Sequence, residues 1–179
     1  MALILLRHTT PKIAAGICYG RTDLDVADTF LVEAERAYNA LPKLDHIVTS
    51  PLTRCRRLAN YVSERLRLPL EVDHRVREMD FGSWEGQAWS AIPRHELDKW
   101  ASDFYHARPH GGESVAMLHK RTMEALTCWN QADRIGLMVT HAGGIRAALS
   151  RGETAGDFQT NVDFGAFVSI SSPEGAPNE

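Results

Sequence analysis

An uninterrupted apolar run at residues 2–6, cut off by Arg7-His8, constrains this chain more than any other feature. A run so short and without alternation suits a strand buried on both faces, and such a strand needs a covering layer on each side of its sheet. Similar runs recur at 45–50, 135–140 and 166–170, with a weaker one at 70–72. Between them the apolar spacing is helical. Leu31, Ala34, Tyr38 and Leu41 repeat on one face before Pro42, and Cys55, Leu58, Ala59, Val62 and Leu66 do so after Ser50-Pro51. Val115, Leu118, Thr122, Ala125, Leu126 and Trp129 form the longest stripe. This alternation predicts an α/β fold, a three-layer sandwich whose mostly parallel central sheet is flanked by helices.

A chain of 179 residues is enough for one such domain, expected over 1–170, with the Pro-, Gly- and Ser-rich stretch 171–179 as a flexible tail. Twenty basic against twenty-three acidic residues give a net charge of −3. That balance is no polybasic footprint, so a bulk nucleic-acid or membrane-surface binder is excluded as an expectation. The first apolar run is too short for a secretory core or a membrane span. Three widely spaced cysteines with no CxxC pair argue against a disulfide framework or zinc ribbon. The expected setting is cytoplasmic and reducing, and the expected partner is a small molecule. Nothing in the pattern encodes an oligomeric state.

The segment 81–110 is different, with Trp84, Trp89, Trp100, Phe104 and Tyr105 and a predicted helix over 93–107. It reads either as a helix packed on the sheet edge or as a helical cap, near 86–112, that roofs a pocket. The eight histidines are the other unusual count. His106 and His110 are four apart, but Pro109 ends a helix between them, so no metal site is expected there. The other histidines, except His8 and His141, read mostly as surface residues.

Ligands of open α/β sheets bind beyond the carboxyl ends of the strands. Three such ends carry chemistry: Arg7-His8-Thr9-Thr10, Ser50-Pro51-Leu52-Thr53-Arg54, and His141-Ala142-Gly143-Gly144-Ile145-Arg146. Each has an ordinary structural explanation when taken alone. Ser50-Pro51 reads as an N-cap and first helical residue, and the glycines as tight helix–strand packing. If the strands are adjacent and parallel, His8, Arg54 and His141 converge.

Together, Leu6-Arg7-His8-Thr9, Ser50-Pro51-Leu52-Thr53-Arg54-Cys55, Arg77-Glu78-Met79-Asp80-Phe81-Gly82-Ser83-Trp84-Glu85-Gly86 and Val139-Thr140-His141-Ala142-Gly143-Gly144-Ile145-Arg146 follow in order. On these motifs the chain resembles the histidine phosphatase superfamily, the phosphoglycerate-mutase-like enzymes. Cys18-Tyr19-Gly20-Arg21-Thr22-Asp23-Leu24 and Gly111-Gly112-Glu113-Ser114 are most similar to α-ribazole phosphatases of the cobalamin pathway. The resemblance implies a phosphomonoesterase in which His8 is the nucleophile, Arg7, Arg54 and His141 surround the phosphoryl oxygens, and Glu78 is the general acid. Arginine forks match phosphate oxygens, and phosphoryl transfer needs positioning and charge stabilisation, so neither a cofactor nor a metal is implied.

Thr9, Arg21 and Ala142 are expected to bind substrate, with α-ribazole 5′-phosphate or a similar small ester as that substrate. Asp80 and Glu85 are neighbouring carboxylates that the residues alone do not separate from Glu78. The chain also departs from the family pattern. Thr9 and Thr10 replace a usual Gly-Glu, and 11–15 lacks an Asn that often contacts phosphate, a role open to a Thr9 or Thr10 hydroxyl. Met79 stands where mutases place a cation, which favours a phosphatase over a mutase. A silent phosphate-binding module of the same fold is the reading from another class.

Overall fold

The computed structural model describes residues 2–131 and 133–171. Its strands are β1 (Ala2–Arg7), β2 (His46–Thr49), β3 (Leu70–Val72), β4 (Gly136–Thr140) and β5 (Phe167–Ser171). They form one sheet in the order β3-β2-β4-β1-β5, in which all pairs are parallel except β1 with β5. The helices are α1 (Phe30–Ala40), α2 (Thr53–Leu66), α3 (Arg94–Ser102), α4 (Val115–Trp129) and α5 (Ala142–Leu149).

Successive side chains of a strand point to opposite faces, so β1 feeds two cores. Ile4 and Leu6 join Phe30, Ala34 and Ala37 of α1 and Leu58 and Val62 of α2. Leu3 and Leu5 join Ala125 and Leu126 of α4 and Ile145 of α5 on the other face. The chain is therefore the three-layer α/β sandwich that the buried run at 2–6 demands. Ser114 starts α4 as anticipated, its hydroxyl accepting the Met117 N–H at 3.2 Å.

Several local expectations are corrected. Helix α1 buries Phe30, Ala34 and Ala37, leaving Leu31 67% exposed, so its apolar face is rotated by about one residue. Helix α2 begins at Thr53 because Leu52 is extended, and the cap comes from a distant loop: Asp23 accepts the Thr53 N–H at 2.7 Å and its hydroxyl at 2.8 Å. Ser50 Oγ accepts the Leu52 N–H there, at 3.3 Å, and keeps capacity for another partner. Helix α3 stops at Ser102, since Asp103 leaves the helical region at φ −142°, ψ 62°.

Four of the eight histidines are buried, which is more than expected. His46 lies inside β2 and stacks on Trp129, while His110 packs edge-on to Trp84 at 4.8 Å. His119, half-buried, meets the Tyr105 hydroxyl at 2.8 Å. His106 is exposed, whereas His110 is buried. Apart from Ser171, the anticipated tail lies outside the described residues. Among the described residues no helix is long and apolar enough to cross a membrane, and Cys18, Cys55 and Cys128 are free thiols.

Candidate active site

The register of β1 on β4 pairs Arg7 with Thr140, so the next residues, His8 and His141, leave the sheet side by side. Their ring centroids are 5.2 Å apart. His8 Nδ1 lies 2.7 Å from the Thr9 carbonyl oxygen. A carbonyl can only accept, so Nδ1 carries the proton and the neutral ring keeps its lone pair on Nε2. Burial first, then the positive charge of Arg54, pushes the His8 pKa down to about 3, against the opposing Thr9 bond. The same two causes, in that order, hold His141 well below the ordinary histidine value. Both rings are neutral at pH 7.

His141 is fully buried, and its Nε2 lies 2.8 Å from the Ser50 hydroxyl and 3.4 Å from the Cys55 thiol. This is the partner that the late start of α2 leaves free. Arg54, at the second position of α2, is also fully buried. It donates to the carbonyls of Thr22 at 2.8 Å and Gly20 at 2.6 Å, while its Nε has no partner. The Gly20 loop passes so close to residue 79 that a Cβ at Gly20 would stand 2.0 Å from the Met79 carbonyl oxygen. Gly20 is thus more than a simple turn. Arg7 donates to the Val162 carbonyl at 2.7 Å and lies 3.8 Å over the Phe164 ring. Among the described residues neither Arg7 nor Arg54 is ion-paired to a carboxylate. Buried charges are normally paired, so two partly or fully buried cations beside two neutral imidazoles make a seat for an anion.

Above this seat opens a cavity of about 330 Å³. Arg7, His8, Glu78 and Ala142 line it, while Arg54 and His141 are not part of its lining. Glu78 accepts the N–H of Met79 at 2.9 Å and that of Gly143, in the first turn of α5, at 3.2 Å. The backbone of Glu78 is held from the far side by Arg121 of α4, whose Nη2 donates to the Glu78 carbonyl at 3.0 Å. Trp89, Trp100 and Phe104 from the 81–110 segment line the cavity as an aromatic wall. Among the described residues no group of three His, Cys, Asp or Glu side chains could hold a metal ion.

Not every anticipated residue reaches the site. The Arg21 side chain turns to Asp80, 3.2 Å away, and lines no part of the cavity; its backbone N–H goes to Glu85. Asp80 and Glu85 are used up in that loop and lie outside the cavity, which leaves Glu78 as the one carboxylate among the described residues that line it. Thr9 is fully buried and also absent from the lining; what it offers the site is the carbonyl that orients His8. The Thr10 hydroxyl is held by Glu33 at 3.1 Å, so it does not stand in for the missing Asn. The sequence reading missed Tyr19, Gly143 and Arg146, which also line the cavity. Ala142 and Arg146 are one helical turn apart, and that spacing was the available signal for Arg146.

A family profile, the histidine phosphatase superfamily (branch 1), matches residues 3–163. A glucosyl-3-phosphoglycerate phosphatase of Mycolicibacterium vanbaalenii is 33% identical over 83% of this chain and 72% of its own length. An adenosylcobalamin/α-ribazole phosphatase of Salmonella typhimurium is 25% identical over 84% of this chain and 79% of its own. Among solved structures, the native mycobacterial glucosyl-3-phosphoglycerate phosphatase superposes with a TM-score of 0.80 at 27% identity, covering 95% of this chain and 89% of that one.

Proposed function

The chain belongs to the histidine phosphatase superfamily and is a phosphatase; from that premise we propose that it hydrolyses a small phosphate ester through a phosphohistidine on His8. The observation that carries this reading is the pairing of His8, whose lone pair is on Nε2, with the carboxylate-free cations Arg7 and Arg54. His8 Nε2 attacks phosphorus, and the bond from phosphorus to the ester oxygen breaks. The protonated Glu78 carboxyl gives its proton to the leaving oxygen. In the second step water attacks the phosphohistidine, the P–N bond breaks, and Glu78 takes the water's proton. Arg7, Arg54 and His141 stabilise the charge on the phosphoryl oxygens. Met79, buried and apolar, follows Glu78 in the cavity wall, which supports hydrolysis over the mutase alternative.

The aromatic wall supports a ring-bearing leaving group, and α-ribazole 5′-phosphate suits it through its aromatic base. A second reading has a specific observation behind it. A glucosyl-3-phosphoglycerate brings both a sugar ring and a carboxylate, and Arg146 faces the cavity. The 86–112 segment acts in either case as a cap over the leaving group.

Hydrolysis of p-nitrophenyl phosphate, unchanged by chelator and abolished in His8→Ala, tests the reaction. Acid-labile labelling of the wild-type protein by radioactive phosphate ester tests the intermediate. An enzyme that binds phosphate yet hydrolyses nothing across a broad panel is the silent module instead. Comparing α-ribazole phosphate, glucosyl-3-phosphoglycerate, 3-phosphoglycerate and sugar phosphates ranks the leaving groups.

A further inference from the structure

Among the described residues, three charged side chains other than histidine line the cavity: Arg7, Glu78 and Arg146. Arg146 lies on α5 one turn beyond Ala142, which places it about 6 Å further along the helix axis from the phosphate seat. Its Nε donates to the Thr160 carbonyl at 3.1 Å, which aims the guanidinium and leaves both terminal nitrogens uncommitted. Among the described residues it has no ion pair. Its charge reaches Arg7, where it adds to burial in lowering that residue's pKa. Two like charges facing one cavity repel, and that repulsion is relieved only when an anion lies near each.

The charge balance of the loaded site sharpens the point. The phosphoryl group takes up Arg7 and Arg54. Glu78, as the proton donor of the first step, is then neutral. Among the described residues that line the cavity, Arg146 is left as the one uncompensated cation, in a lining that is otherwise largely aliphatic and aromatic.

We propose that Arg146 is a specificity-determining residue that binds a carboxylate on the leaving group, so that the preferred substrates are phosphorylated organic acids. The inference rests on the phosphomonoesterase reading and narrows it. It ranks a carboxylate-bearing ester above α-ribazole 5′-phosphate, whose leaving group carries no anion. A guanidinium meets a carboxylate through two parallel N–H bonds, a geometry a neutral hydroxymethyl group does not reproduce.

3-Phosphoglycerate and glycerol 3-phosphate share a skeleton and differ by carboxylate against hydroxymethyl, so they are the probes. In His8→Ala protein, which removes turnover, calorimetry is expected to show 3-phosphoglycerate binding about tenfold tighter or more. Adding Arg146→Gln is expected to shrink that preference below about threefold, with Arg146→Lys in between and glycerol 3-phosphate little changed. Equal binding of the two esters to His8→Ala protein overturns the inference whether or not the Arg146 variants fold, as does a preference that survives Arg146→Gln. Wild-type hydrolysis of p-nitrophenyl phosphate separates the failures. An active enzyme without carboxylate discrimination loses only the Arg146 inference, and an inactive protein that still discriminates loses only the phosphohistidine reading.

Discussion

Glu78 occupies the space that a side chain on residue 143 would fill. Its Oε2 accepts the Gly143 N–H at 3.2 Å, and a Cβ built on Gly143 would stand 2.1 Å from its Oε1. Gly143 lies within α5, at a φ where any residue fits, so alanine there improves helix propensity by about 1 kcal/mol. The atom it displaces is the end of a flexible carboxylate. Gly143→Ala is therefore expected to keep or slightly raise the melting temperature while moving the acid. Turnover of alkyl phosphates, which need a proton on the leaving oxygen, should fall about 10²-fold. The first-turnover release of p-nitrophenol from p-nitrophenyl phosphate, which needs no acid and precedes the water step, should fall far less. Equal losses in that first turnover on both esters would mean that the phosphate seat itself had been damaged. Glu78→Gln should show the same leaving-group pattern and still bind phosphate.

The neutral, buried histidines tie stability to pH. The His8 pKa is about 3 in the folded protein, against 6.5 for a free histidine, and His141 is shifted the same way. The unfolded chain therefore binds protons below pH 6.5 that the folded chain refuses. Their contribution is whole above that value and is lost as pH falls toward the folded pKa. Each group removes up to about 1.4 kcal/mol per pH unit over that window. Denaturant unfolding in phosphate-free buffer between pH 7.5 and 5 should show this decline. It should be shallower in His8→Asn, and an identical slope would remove His8 from the account.

Arg121 and Glu113 form the least exposed ion pair around the site, at 2.7 Å, with side-chain exposures of 17% and 13%. The same guanidinium donates to the carbonyls of Arg75, Arg77 and Glu78, so it clamps the segment that presents the acid. Arg121→Met leaves Glu113 and three carbonyls without their donor and is expected to cost about 3 kcal/mol in urea unfolding. Arg121→Lys keeps the charge but lacks the planar fork, so it should recover only part of that loss. Full recovery by lysine would show that charge alone, without the fork, holds the segment.

The strands, the two-faced sheet and the convergence of His8, Arg54 and His141 were legible because buried runs and parallel register are properties of short segments. Ala142 follows His141 directly and lines the cavity. The direction of the Arg21 side chain was not legible, because its motif marks the loop while Asp80, far along the chain, holds the guanidinium. The start of α2 was misread because its cap is Asp23 rather than the adjacent Ser50. The seat of Glu78 was illegible for a similar reason. Gly143 and Arg121 reach it through the fold from 65 and 43 residues away. His110 looked like a loop residue beside glycines, and only the packing of Trp84 against it explains its burial.

The aromatic wall yields the last prediction. Trp84 is 1% exposed, donates to Glu96 at 2.6 Å and packs with Cys18 and Ile92, so it belongs to a buried cluster rather than to the cavity lining. Trp100 is half-buried, lines the cavity, and has a buried indole N–H with no protein partner. Trp84→Ala should therefore act on stability, costing about 3–5 kcal/mol. Trp100→Ala should instead weaken substrates that carry a ring. Loss of one aromatic face is worth about 1–2 kcal/mol, a factor of roughly 5–30 in kcat/KM for a ring-bearing ester. Glycerol 3-phosphate, with no ring to stack, should change little. Trp100→Phe keeps the face and drops only the N–H, so a large loss in that variant would assign the indole a hydrogen bond to substrate. If ring-bearing and ring-free esters lose equally in Trp100→Ala, the wall shapes the cap without reading the leaving group.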